Sequence, residues 1–511
     1  MLIATTISEI KPYFPKAQNH QKVALVPTMG ALHQGHISLI ERAREDCDLL
    51  VVSIFVNPLQ FAPTEDLDNY PRQLETDYQL CETLGVDIIF APTPEVMGIT
   101  GDTATQSLTT TVIPPISMTS GLCGKYRPGH FQGVATIVTK LLNIIRPDRA
   151  YFGQKDAQQL AIIRRLVSDL NIPVEIVGCP IIREESGLAL SSRNQYLTPT
   201  EKNQAATIYQ SLKEAAIAFY QGETEANILK AIVKNKLESE VAIHTQYVEL
   251  VDPKTLQSLA TLETTGLLAV AAYIGNTRLI DNIILRQPIV AIDGPAGAGK
   301  STVTRLVAEQ LGLLYLDTGA MYRAVTWLVM NSDIEVNDQD SIADLVKGIK
   351  IDLIPSQSPD LPVTVYVNEQ EVTQAIRTPE ITAQVSAIAS QPAVREKLLT
   401  IQQGYGEKGG IIAEGRDIGT KVFPDAELKI FLTASVSERA KRRLLDLQNQ
   451  GYKDIDLAQL EKEIQQRDEK DSNRAIAPLK KANDAIEVIT DHLTKEEVIQ
   501  KIVQLYQFLS L

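Results

Sequence analysis

A chain of 511 residues is too long for one ordinary hydrophobic core, so two or more domains are expected. Apolar residues make up 44% and charged residues 22%, ordinary soluble globular usage, and a net charge of −14 argues against a chain that coats nucleic acid or anionic membrane, while leaving local basic pockets for phosphate open. The stretch MLIATTISEIKPYF lacks the marks of a signal peptide, no apolar run approaches the ~18 residues of a membrane span, and Cys47, Cys81, Cys123 and Cys179 form no C-x-x-C pair; a cytoplasmic protein with reduced thiols is expected.

In chain order, KVALVPT, DLLVVSIFVNP, VDIIFAP, RAYFG and VEIVGCPII read as buried parallel strands. Helical patterns such as ISLIERARED and DAQQLAIIRRLVSDL lie between them. This is the rhythm of an α/β, Rossmann-like nucleotide-binding part over about residues 1–185. The helical TIYQSLKEAAIAFYQ and ANILKAIVKNKLESE follow, then the strand-like TQYVELVD and GLLAVAAYIG, a small α+β subdomain over about 186–286. At PIVAIDGPAG the α/β rhythm restarts. The junction RLIDNIILRQ has no Gly/Ser-rich linker, and the boundary is expected near residue 287, giving domains 1–286 and 287–511.

The first half carries VALVPTMGALHQGH, a strand, a glycine turn and the start of a helix. His36 falls at the helix N-terminus, where free N–H groups and the helix dipole attract anions. Gly30 and Gly35 allow close backbone approach, and His33 and His36 add hydrogen-bond donors for phosphate oxygens. A pair of ordinary core or surface histidines is the bland alternative. A metal site with His130 is a weaker one, for no carboxylate or cysteine cluster accompanies the pair. Three clusters at other strand or loop ends favour phosphate: Asn57 and Gln60 in VNPLQF; Lys155, Asp156, Gln158 and Gln159 in YFGQKDAQQL; and Ser191, Ser192 and Arg193 in GLALSSRNQYL.

PTMGALHQGH, SIFVNPLQF, RPGHFQGVATIV, FGQKDAQQLAIIRR and GLALSSRNQYL together resemble pantothenate synthetase (pantoate–β-alanine ligase) over essentially residues 1 to 285. That family is similar to class I aminoacyl-tRNA synthetases, with an H-x-G-H motif and a KMSKS-like loop that grip ATP. The resemblance implies a two-step reaction: pantoate and ATP give pantoyl adenylate and pyrophosphate, and β-alanine then displaces AMP. It implies His36 as a general acid toward the phosphates with His33 beside it, and Gln60 and Gln159 on pantoate or β-alanine. Lys155 and Arg193 would hold triphosphate oxygens, with Ser191 and Ser192 on the mobile loop and Asp156 on the nucleotide. Met29, Gly30, Gly153, Ile182 and Leu190 complete the implied ATP site. Gln154 stands where much of the family has Glu.

GPAGAGKS, residues 294 to 301, matches G-x-x-x-x-G-K-[ST] between the strand PIVAID and the helix STVTRLVAEQLG, the context of a P-loop. Gly294, Gly297 and Gly299 let the loop wrap phosphate, Lys300 reaches the β and γ oxygens, Ser301 binds Mg²⁺ and Thr302 opens the helix. No N-K-x-D guanine signature follows. DTGAMYR offers Thr318, Tyr322 and Arg323, and GRDIGT offers Arg416 and Asp417. The arginines of SERAKRRLLDL and QQRDEKDSNRAIAPL, interleaved with Asp468 and Asp471, suit a phosphate-gripping lid.

DTGAMYR, GRDIGT, FPDAELKIFL and RDEKDSNRAIAPL resemble bacterial cytidylate kinase from about residue 288 onward. The resemblance implies that Thr318, Arg323, Ser386, Arg416, Asp417, Arg467, Asp471 and Arg474 contact CMP. It puts Arg439, Arg442 and Arg443 in a lid over ATP, and a CMP-side insert between MNSDIEV and ITAQVSA. Glu414 stands where Asp precedes G-R-D, and a shift in base or sugar choice is the expected consequence. A two-enzyme fusion using ATP and Mg²⁺ on pantoate, β-alanine and CMP or dCMP is the reading, with a homodimer through the ligase half by analogy. The alternatives are an adenylyltransferase or regulatory nucleotide-binding first half, and a kinase preferring AMP or UMP.

Overall fold

The apolar runs of the first half fold as strands: β1 (Leu2–Ala4), β2 (Val23–Thr28), β3 (Leu49–Ile54), β4 (Ile88–Phe90), β5 (Arg149–Gly153) and β6 (Glu175–Cys179). They form one parallel sheet in the order β1-β4-β3-β2-β5-β6. Its strands are apolar on both sides because helices cover both faces; Leu25, Val51 and Phe90 point into one core, and Ala24, Val26 and Val52 into the other. The order reverses between β2 and β5, and ligands of open α/β sheets bind at such a switch point, beyond the strands' C-terminal ends. The short β1, which the sequence pattern did not single out, pairs with β4.

The computed structural model describes all residues except 15–20, 62–66, 68–69, 100–109, 333, 356–362, 450–455, 474–477 and 511. The chain divides into two units, Met1–Leu285 and Arg286–Leu511. The first also contains helices Pro199–Tyr220 and Ala226–Glu238, packed on β7 (Ile243–Val251) and β8 (Thr265–Ile274) through Leu212, Leu229, Leu250 and Leu268. The strand β9 (Thr277–Asp293) contributes its residues up to Leu285 to the first unit and the rest to the second, which is why the junction carries no loop.

In the second unit, β10 (Leu314–Asp317), β14 (Gly409–Gly415), β15 (Leu428–Thr433) and β16 (Ile486–Ile489) join β9 in a parallel sheet ordered β10-β14-β9-β15-β16. Between β10 and β14 the chain makes a separate antiparallel sheet of β11 (Ile351–Pro355), β12 (Val363–Val367) and β13 (Gln370–Glu371). It occupies the stretch in which an insert was expected. Among the described residues no helix is long and apolar enough to cross a membrane, and all four cysteines are buried free thiols.

Candidate functional site

In the first unit β2 ends at Thr28 and the helix Gln34–Asp46 begins after His33. His33 is the N-cap: its Nδ1 accepts the Gly35 N–H at 3.1 Å, while Nδ1 of His36 accepts the His33 N–H at 3.4 Å. The two imidazoles thus make the reciprocal bonds of a capping box, an arrangement usually built from Ser/Thr and Glu. A ring nitrogen that accepts an N–H carries no proton, so the proton of each neutral ring sits on Nε2. Burial, then the charge of Lys155, pushes His33 down to about 4; burial, then His33 and Lys155, pushes His36 down to about 3. Without nucleotide, both are therefore uncharged donors at neutral pH.

Both rings line a cavity of about 190 Å³ at the switch point. Met29, Gly153, Lys155, Asp156 and Gln159 line it too, as do Ile182, Leu190, Ser191, Ser192 and Arg193. So ten of these expected positions, with His33 and His36, meet around one space, although they come from separate strand and loop ends. Gly30 lies in the turn outside that lining. Gln60 also lies outside it; its amide nitrogen approaches the Met29 sulfur. Asn57, 2% exposed, donates to Gln60 Oε1 (3.2 Å) and to the Gly133 carbonyl (3.2 Å), which fixes the Gln60 amide. A Cβ on Gly133 would fall 2.2 Å from the Leu59 carbonyl, so only glycine lets the helix His130–Ile145 pass this close. His130 bonds the Gln60 carbonyl through Nδ1 (2.7 Å) and Arg127 through Nε2 (3.1 Å), so it is no third metal ligand with His33 and His36. Among the described residues no group of three or more His, Cys, Asp or Glu is placed to hold a metal.

Two residues behave differently from the sequence reading. Gln158 spends its amide nitrogen on the carbonyls of Met118 (2.9 Å) and Gly121 (3.0 Å), inside the protein, because the helix Ala157–Asp169 turns it away from the strand end. Asp77, not foreseen, is 2% exposed and accepts the N–H groups of Ala31 and Leu32, both at 2.9 Å. It pins the turn that leads into His33. Burial raises its carboxyl, and those two bonds offset part of the rise.

In the second unit β9 ends at Asp293 and the loop 294–299 leads into the helix Lys300–Leu311. Gly294 has φ +148°, and a Cβ there would lie 2.0 Å from the Leu432 carbonyl of β15; no other residue fits. Lys300 Nζ donates to the carbonyls of Gly294 (2.7 Å) and Pro295 (2.8 Å). Burial, then the charge of Arg416, pulls it below the ordinary lysine range. Ser301 and Thr302 follow in the exposed first turn. Asp293 receives the N–H groups of Ile418 (2.8 Å) and Gly419 (2.7 Å), tying the G-R-D-I-G turn to the strand before the P-loop. Burial lifts it to about 6.

Of the expected monophosphate residues, Thr318, Arg416 and Asp417 directly follow the neighbouring strands β10 and β14, while Arg323 and Asp471 lie on the helices Thr318–Met330 and Leu457–Asn473. Thr318 donates to the Glu414 carbonyl (2.7 Å), Arg323 pairs with Asp317 (3.1 Å), and Arg416 with Asp471 (2.9 Å). Asp417 pairs with Arg395 (3.5 Å), whose guanidinium lies 5.6 Å from the Tyr322 ring. Arg395, a lone arginine in a helix, gave no signal in the sequence. Ser386 is exposed on the helix Pro379–Ala389, and Arg467 on the helix Leu457–Asn473. Arg474 lies outside the described residues. Of the lid arginines, Arg439 holds the Asp468 carboxylate (3.0 and 2.5 Å) and the P-loop carbonyl of Ala296 (3.1 Å). Arg442 is bound to Thr490 and Glu438, and Arg443 is exposed. Glu414 accepts the Tyr315 hydroxyl and bonds the Ser301 side chain, so it faces the P-loop.

A family model described as pantoate-beta-alanine ligase matches residues 2–284, and one described as cytidylate kinase matches residues 290–508. A protein of Trichormus variabilis named bifunctional pantoate ligase/cytidylate kinase is 60% identical over 487 residues, covering 95% of this chain and 91% of that protein. One of the same name from Synechocystis is 57% identical over 507 residues, covering 98% of each. The crystal structure of pantothenate synthetase from Thermus thermophilus superposes with a TM-score of 0.52 at 42% identity, over 55% of this chain and 99% of that one.

Proposed function

Since this chain belongs to the family of bifunctional pantoate ligase/cytidylate kinases, we propose that its first unit joins pantoate to β-alanine with ATP, and that its second phosphorylates CMP and dCMP. The observation that carries the ligase half is the pair of reciprocally capped imidazoles lining one cavity with Lys155 and Arg193.

A carboxylate is a poor acyl donor until one of its oxygens belongs to a good leaving group. Pantoate's carboxylate, oriented by Gln159 and Gln60, attacks the α-phosphorus of ATP, the α–β bridging bond breaks, and pyrophosphate leaves. Negative charge grows on the departing phosphates in that step. Lys155, Arg193 and the Nε2–H groups of His33 and His36 are fixed donors for it, and such donors need no reorganisation as the charge forms. β-Alanine's amine then adds to the activated carbonyl and AMP departs, which leaves an amide and releases the amine's proton. Ser191 and Ser192 close over the phosphates.

In the second unit the P-loop N–H groups and Lys300 hold the ATP phosphates, while Thr318, Arg323, Arg416, Asp417, Asp471 and Arg474 hold CMP, with Ser386 and Arg467 at its edge. The phosphorus moves to the CMP phosphate oxygen with little covalent help, so alignment and charge dominate. The Ser301 hydroxyl beside the Glu414 carboxylate is an oxygen pair that suits Mg²⁺, which when bound neutralises charge on the β and γ oxygens. Both reactions consume ATP and all four thiols are free, which supports a cytoplasmic place of work. Ile113 and Ile116, 70% and 79% exposed, support a homodimer contact on the first unit.

The test is full-length protein with each substrate set. Pantothenate and AMP should form together, and CMP should yield CDP faster than AMP or UMP yields its diphosphate. Adenylate that accumulates without pantothenate would leave an adenylyltransferase, and faster use of UMP would reassign the kinase.

A further inference from the structure

Among the buried polar side chains of RLIDNIILRQ, Asp281 and Asn282, 4% and 5% exposed, lie beside the first unit's site and have no part in the chemistry above. Successive residues of a strand face opposite ways, and these two reach different loops. Asn282 Nδ2 donates to the carbonyls of Gln154 (3.1 Å) and Lys155 (2.9 Å), so its amide hydrogens hold the turn that bears Lys155. Asp281 accepts both terminal nitrogens of Arg183, at 2.6 and 2.9 Å, and its own neighbour's N–H at 2.8 Å. Arg183 also donates to the Gly187 carbonyl (3.1 Å) and lies 3.6 Å over the Tyr209 ring.

Arg183 stands at the base of a small hairpin. It bridges to Ala189, and Leu190 donates its N–H to the Ile182 carbonyl at 2.9 Å. The residues that leave this hairpin are Ser191, Ser192 and Arg193. One dipeptide on β9 therefore touches both loops that bring cations to the ATP cavity: Lys155 through Asn282, and Arg193 through Asp281 and Arg183.

We propose that Asp281 and Asn282 are positioning residues that set the separation of Lys155 and Arg193 across the ATP triphosphate. This rests on the ligase reading of the first unit. A buried ion pair seldom adds much stability over an apolar pair of the same shape, and holding a geometry is its better-attested use. Displacing a reacting group by ~1 Å costs on the order of 10² in rate, so a short fixed strut has something to protect.

The experiment measures pantoate-dependent pyrophosphate release by the full chain, a product the kinase does not make. With Asn282→Ala the ATP KM should rise and kcat fall by about tenfold each, with the pantoate KM within about twofold. In a Lys155→Ala background the same change should add less than about twofold, because the side chain it positions is gone. If Asn282→Ala costs the first unit its melting transition, Asn282→Ser, which keeps one donor, should show the same split at smaller size. An unchanged ATP KM in a folded variant, or an equal loss in the Lys155→Ala background, overturns the strut. Wild-type protein with no pantoate-dependent release would instead overturn the ligase reading itself.

Discussion

At the end of β2 and at the end of β9 the chain performs the same manoeuvre: it leaves a parallel strand, turns, and starts a helix whose N-terminus is built for phosphate. In the second unit one contiguous loop supplies the grip. Gly294 passes under the Leu432 carbonyl, Lys300 lies on the loop's own carbonyls, and the first helical turn carries Ser301. In the first unit the turn supplies two neutral donors and no cation. The charge comes from Lys155 at the end of β5 and Arg193 in a loop, and the turn itself is held by Asp77 from another helix. A local grip and an assembled grip should fail in different ways.

The largest expected loss is in the local one. Lys300→Ala should lower CMP phosphorylation by at least about 10³, since it removes the cation that the loop itself aims at the β and γ oxygens. Pantothenate formation by the same chain should be unaffected, which makes it an internal control. A variant retaining a tenth of the kinase rate would show that Arg416 or another cation shares the task.

The assembled grip should lose less when one donor is removed. His36→Ala takes away one Nε2–H of several and should cost about 10²–10³ in ligase turnover. Near-wild-type adenylation in a single turnover would remove His36 from the phosphate site. The capping box adds a spectroscopic check. With imidazoles held near 4 and 3, both stay neutral down to about pH 5, so their Cε1–H resonances should not titrate between pH 5 and 8 without added nucleotide.

A smaller, indirect loss distinguishes assembly from mere proximity. Asp77→Ala removes the two bonds that hold Ala31 and Leu32 and should cost about tenfold in ligase kcat. If His33 and His36 keep their place without it, the rate stays at wild type, and the capping box alone sets the turn.

These dependences explain what could be read in the sequence. The P-loop was legible because its geometry is fixed within eight residues by glycine conformations that leave a signature. The parallel strands were legible because both of their faces are buried and their runs are apolar throughout. Asp77 was not, for LETDYQL reads as an ordinary helix until the N–H groups of Ala31 and Leu32 are brought against it. Arg395 was hidden in PAVREKLL for the same reason. Gln158 and Glu414 were visible as polar residues near motifs, but their direction was not: one turns inward to Met118 and Gly121, the other toward Ser301 and Tyr315. Nor did HQGH reveal its tautomers, which depend on two backbone bonds.

The smallest effect on catalysis, and the last test of the contrast, is to divide the chain. Among the described residues each grip is built within one unit, so separate pieces should keep kcat/KM within about twofold of the intact chain. Where the cut is made should matter for stability. Arg286 has 9% of its side chain exposed and binds Glu427 at 3.0 Å and Asp425 at 3.1 Å, both in the second unit. Glu427 also accepts the Ile289 N–H at 2.8 Å, and burial already raises its carboxyl. A kinase piece beginning at Arg286 keeps this set. One beginning at residue 287 leaves Glu427 buried with no cation, at a cost of about 2–3 kcal/mol once the partial exposure of Asp425 is allowed for. For a unit of this size that is a fall of roughly 5–10 °C in Tm, readable by calorimetry. Equal Tm values for the two pieces would mean that Glu427 simply takes up a proton there, and equal loss of CMP turnover in both would mean that the kinase needs the first unit after all.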